Sequence, residues 1–378
     1  MVSSAPPALA DWDLAARIAW SIASGPLAPR MKIDRSTVAA LRADIDDIVV
    51  RADRLVRTAA DLGHDLPPAS VQVVGRREWI QRNLDALAAI TAPVADKLAQ
   101  RPSRSSRRLA RQAVAVQIGV VFGYLSTRVL GQYEVFGVPA TPEEAHVGRL
   151  LLVGPNLLEL EATLLPEAGV SPEEFRMGVC LHELAHRLQF EAVDWTKGLL
   201  RGLLDEYLSE VDFDPERFRT AAKRLPELLR DPERMREPQT LIELVLTPRQ
   251  AEVIHQAQSL MSLFEGHGNV CMDWGAQAAQ AAGVAHPDPA RVREVLNSRR
   301  GQKLHKVAQR AMGLSMKAEQ YRTGERFILD VAERYGRDTF HEVWRRPANV
   351  PTAEELQDPD AWVARLDLPS PRSGAAPA

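Results

Sequence analysis

At 378 residues, with 45% hydrophobic and 26% charged content, the chain can bury a large core as one elaborate domain or two packed subdomains. Its 47 basic and 50 acidic side chains leave a net charge of -3, which excludes the polyelectrolyte character that draws a protein to nucleic acid or an anionic membrane. Two cysteines, Cys180 and Cys271, both within helical patterns, exclude a disulfide framework.

Residues 1–10 read as a disordered Pro/Ala/Ser tail without the basic and apolar regions of a secretory signal. The most apolar run, Ala113 to Leu125, is interrupted by Gln117 and is shorter than the ~20 residues that span a bilayer, so a cytoplasmic protein is expected. Asp11 to Ala23 carries apolar residues at helical spacing, and Arg35 to Leu62 predicts a longer amphipathic helix through Val38, Leu41, Ile45, Ile48 and Val49. Val71 to Val74 predicts a brief strand, and Arg77 to Leu98 a return to helix. The basic stretch Arg101 to Arg108 has no interleaved aromatics and reads as a solvated loop, followed by a central helix from Leu109 to Leu130. Tyr133 to Phe136 and Leu150 to Val153 predict short strands of a small sheet or hairpin, one edge of which could hold an extended peptide.

Ser171-Pro172-Glu173-Glu174 then signals a helix start, with an N-cap serine, proline at the first position and a capping-box glutamate. Within that helix lies His182-Glu183-Leu184-Ala185-His186. Histidines four apart project from one face, so both imidazoles can reach one metal ion at roughly 2.0–2.1 Å. Glu183 lies about 100° round from His182, beside such an ion and not on it, where a general base belongs. On the wheel Met177, Cys180, Leu181, Leu184 and Leu188 form the core stripe, while Phe175, Gly178, His182, His186 and Gln189 share the other side. Cys180 therefore reads as a small buried hydrophobe.

Beyond Trp195 to Tyr207 and a polar connection from Asp212 to Pro238, Thr247-Pro248-Arg249-Gln250 opens another helix. Its apolar face is Val253, Ile254, Ala257, Leu260, Met261 and Phe264, and it is expected to end or bend in Glu265-Gly266-His267-Gly268-Asn269. Catalytic zinc takes three protein ligands and one open position. Glu265 is the first choice for the third ligand and His267 the alternative; in a continuous helix positions two apart diverge by about 200°, so only one can face the ion. Asn269 or Asp273 could hold a ligand imidazole. His286 falls in a loop, and a long helix from Gln302 places Lys317 and Tyr321 on one face, where Tyr321 is either an oxyanion donor or an amphipathic surface residue. Pro351 to Leu368 is expected to order around Trp362, and residues 369–378 to form a tail.

On Arg77-Glu78-Trp79-Ile80 with Asn83, Val129-Leu130-Gly131-Gln132-Tyr133, Leu152-Val153-Gly154-Pro155-Asn156, His182 to Gln189, Glu265-Gly266-His267-Gly268, Lys317 to Gly324, and Pro351-Thr352 with Trp362, the chain resembles the zincin-like metallopeptidase type 2 family. This is an actinobacterial group, one branch of which is associated with biosynthesis of the deazaflavin coenzyme. The resemblance implies a mainly α, zincin-like metalloprotease fold holding Zn2+, over a single domain at residues 11–368 or two subdomains at 11–130 and 131–368. Members tend to carry Pro-Trp after the metal helix where this chain has Asp194-Trp195. The leading reading is a zinc metallopeptidase with Glu183 as catalytic base and a peptide or protein as substrate. A non-proteolytic metal-binding accessory protein in cofactor biosynthesis is the second reading. The third is a di-iron carboxylate bundle using Glu143-x-x-His146 and Glu183-x-x-His186.

Overall fold

The computed structural model describes residues 8–25, 33–99, 104–137, 149–209, 248–283, 288–300 and 318–369. Glu143, His146, the 212–238 connection, His286 and Lys317 lie outside these. The protein is mainly helical, with a three-stranded sheet ahead of the His-Glu-x-x-His helix. Two units interleave along the chain: Met1–Ala192 with Cys271–His305, and Val193–Val270 with Lys306–Ala378.

The first unit holds α1 (Trp12–Ala23), α2 (Arg35–Ala60), β1 (Val71–Val74), α3 (Arg76–Ala99), α4 (Arg104–Ser126), β2 (Gly131–Tyr133), β3 (Leu150–Val153), α5 (Gly154–Thr163), α6 (Leu165–Ala168) and α7 (Pro172–Glu191). The C-terminal part of α9 (Pro248–Ala281) and α10 (Pro289–Arg300) belong to it too. The sheet order is β1-β3-β2, with β1 parallel and β2 antiparallel to β3. All four β3 residues are buried, and their alternation splits the interior in two. Leu150 and Leu152 enter a core with the α2 stripe Leu41, Ile45, Ile48, Val49 and Val56 and with Met177, Leu181, Leu184 and Leu188 of α7. Leu151 and Val153 enter the other, with Ala15, Ala19, Trp79, Ile80 and Ala115.

The boundaries of α4 and β2 differ from expectation. Helix α4 starts at Arg104, inside the basic stretch, whose arginines are good helix formers. Strand β2 spans Gly131–Tyr133, because its bonds to β3 are bracketed by Val153 N–H to Leu130 O and Glu134 N–H to Arg149 O before the chain turns.

Helix α7 begins with the expected capping box: the Ser171 hydroxyl accepts from Glu174 N–H and the Glu174 carboxylate accepts from Ser171 N–H. It is buried nearly all round. Arg176 clamps it to Glu161 through two bonds of 2.7 Å and to Asp44 through a third. A side chain at Gly178 would collide with Val292 and Met272, so α7 lies flush against α9 and α10.

In the second unit are α8 (Thr196–Ser209), the N-terminal part of α9, α11 (Ala318–Arg334), α12 (Arg337–His341) and α13 (Pro359–Arg365). Helix α9 runs unbroken through Gly266 and Gly268, where an end or bend was expected. Gly266 serves a crossing instead: a Cβ there would strike the Glu325 backbone N, and one at Gly324 the Ser262 carbonyl. Trp362 is wholly buried against Phe327 and donates its indole N–H to Asn349 O at 2.8 Å, ordering the C-terminal segment as anticipated. No described helix is long and apolar enough to cross a membrane.

Candidate metal centre

The cap at Ser171 sets the phase of α7, and the apolar stripe on Leu181, Leu184 and Leu188 fixes its rotation, which leaves His182, Glu183 and His186 half-buried on another side. The two Nε2 atoms stand 3.2 Å apart with their rings edge to face. Ligands of a tetrahedral ion at about 2.0–2.1 Å lie roughly 3.3 Å from one another, so the pair is already at the edge length such an ion requires. His186 Nδ1 is 2.9 Å from the Gln189 amide oxygen, and Gln189 is fully buried. With that oxygen accepting, Nδ1 carries the proton and Nε2 keeps its lone pair for a metal.

Among the described residues one group of His, Cys, Asp or Glu side chains can hold a metal ion: His182, His186 and Glu265, whose ligand atoms all lie within 4.8 Å of one another. The donor types fit zinc: two imidazole nitrogens and one carboxylate.

His267 occupies other surroundings. It is wholly buried, with its ring 5.0 Å from Trp344 and 5.7 Å from Phe340 in the second unit. Because α9 is continuous, Glu265 and His267 diverge, as helical geometry demands. Asn269 donates to Glu325 at 3.1 Å and Asp273 accepts from Arg293 at 2.7 Å, so neither is bonded to a ligand imidazole. The backbone of Tyr321 belongs to α11. Burial, followed by the Glu183 charge, pushes the Cys180 thiol up to about 12, which keeps it a neutral core side chain.

Several residues around the site escaped the sequence reading. A Cβ on Gly131 would stand 2.5 Å from Glu183 Cγ, 2.8 Å from Cδ and 2.9 Å from Oε1, so β2 presses its backbone onto the Glu183 side chain. The Tyr133 hydroxyl donates to Glu191 at 2.9 Å, and the buried Arg187 donates to Glu191, Asp53 and Pro67 O at 2.8, 3.0 and 2.6 Å. Gln189, three residues past His186 on the same side of the wheel, carried a local signal as an imidazole partner. The strand-to-helix contacts carried none.

Comparison with curated proteins finds no match. A solved structure from Chloroflexus aurantiacus, described as a provisional hydrolase with a novel fold, shares 27% sequence identity and a TM-score of 0.66, covering 95% of this chain and 99% of that one. The zincin-like metallopeptidase family matches residues 10–363, nearly the whole length. The chain belongs to the zincin-like metallopeptidase family.

Proposed function

We propose that the protein is a zinc-dependent hydrolase, and more narrowly a metallopeptidase cleaving peptide or protein substrates, with His182, His186 and Glu265 as metal ligands and Glu183 as general base. The observation that carries this reading is the 3.2 Å separation of the two Nε2 atoms with a third donor in the same group. A zinc ion held there would polarise a substrate carbonyl and bring the pKa of a coordinated water down to about 7.

Every other part of the reaction falls to side chains and backbone of this chain. Glu183, one residue on from a ligand and half-buried, takes a proton from the attacking water at its carboxylate and returns it to the leaving amine. Gln189 holds the His186 ring in the tautomer that leaves Nε2 a donor. Strand β2 supplies a template. Leu130 O and Glu134 N–H bond to β3, so by the two-residue period the N–H and C=O groups of Gly131 and Tyr133 point away from β3. An extended peptide laid along that edge would gain main-chain hydrogen bonds to Gly131, beside Glu183.

A group of three donors among the described residues, one fewer than the four protein ligands of a structural zinc, favours catalysis. The test is digestion of a peptide library by the zinc-loaded full chain, read by mass spectrometry, alongside E183Q. Cleavage by the parent and none by an E183Q protein that retains its zinc is expected. Equal cleavage by both removes Glu183 from the mechanism, and absence of cleavage by the parent returns the accessory-protein reading.

A further inference from the structure

We infer that Gly131 is a positioning residue for Glu183: a bare α-carbon at the start of β2 forms one wall of the slot that holds the carboxylate, and Tyr133 keeps the slot at its width. The inference rests on the general-base reading of Glu183 above. Its first observation is the near-contact of the Gly131 backbone with Cγ, Cδ and Oε1 of Glu183. Any side chain at residue 131 would occupy the space of that carboxylate.

The second observation is how β2 is held there. Tyr133, two residues on and so on the same face of the strand, stacks on Phe190 with ring centroids 5.9 Å apart and planes 6° off parallel. Its hydroxyl bonds to Glu191, whose other oxygen is taken by Arg187, itself fixed by Asp53 and Pro67 O. Burial and the adjacent Glu191 push the Tyr133 pKa upward, so it remains an O–H donor. On its inner side β2 is pinned to β3 by the bonds at Leu130 and Glu134. The strand is thus tied to α7 at Tyr133 and to the sheet along its length, and an added methyl group at residue 131 would meet the Glu183 side chain first. Substituting Gly131 by alanine should displace the base and leave the three ligands in place.

The full chain loaded with Co2+ and titrated with acetohydroxamic acid, followed by visible absorption, tests this without a known substrate. The probe chelates the ion through its two oxygens as its acidic O–H proton passes to the neighbouring carboxylate. G131A should take up cobalt with parent affinity and melt near the parent temperature, yet bind the hydroxamate roughly tenfold to a hundredfold more weakly, as E183Q does. Y133F, which removes one oxygen and adds nothing, should show a smaller loss in the same direction. Parent-like hydroxamate binding by G131A, with E183Q weakened, overturns the inference and leaves the proposed function standing. If E183Q also binds normally, the general-base reading fails and the inference with it. Should G131A not fold, Y133F decides: weaker hydroxamate binding with cobalt retained supports the slot, and unchanged binding overturns it.

Discussion

His186 is oriented by a bond on the side away from its partner histidine. Gln189 is wholly buried with its oxygen at 2.9 Å from Nδ1, so Q189A should lower zinc affinity about 10–100-fold while stoichiometry stays at one. Titration against a competing chelator measures this; parent affinity would mean the ring is held by other means. Glu265 and His267 separate more sharply. E265A should lose tight zinc binding, whereas H267L should keep it and pay in stability, because its ring is packed between Trp344 and Phe340. Metal content after dialysis and a thermal melt on both variants check the pair. Zinc retained by E265A and lost by H267L would reverse the assignment.

Elements place these residues by two kinds of device, and only one is visible locally. The capping box at Ser171 and the stripe on α7 are written within one stretch of chain, which is why helix, phase and histidine face could be read from sequence. The glycines of α9 were legible as unusual but not as to purpose. A Gly in a helical pattern signals either a break or a close neighbour, and the neighbour, Gly324, is nearly sixty residues away. Their crossing predicts that G324A, whose new methyl group meets the Ser262 carbonyl and not a pliable side chain, costs about 1–3 kcal/mol or more in chemical denaturation. A variant as stable as the parent would show that the helices part freely. Gly131 against Glu183 was hidden for the same reason: a strand meeting a helix fifty residues on leaves no periodic trace.

At the scale of the molecule, one short sheet does the organising. Leu150 and Leu152 turn to the core that carries the metal helix and Leu151 and Val153 to the core of α1, α3 and α4, so β3 fixes β2, and β2 meets Glu183. Composition and periodicity sufficed for a mainly helical protein with a small sheet before α7, since both follow from local pattern. The interleaving of two units did not show, because it depends on which distant segments pack together.

The proposed function requires that His182, His186 and Glu265 grip one zinc ion. Anomalous diffraction at the zinc edge from crystals of the zinc-loaded protein tests it most directly. One peak at about 2.0–2.1 Å from both Nε2 atoms and from the Glu265 carboxylate, with the fourth position taken by water, is the predicted result. A peak elsewhere, two metals, or a fourth protein ligand closing the site would rule out this metal centre.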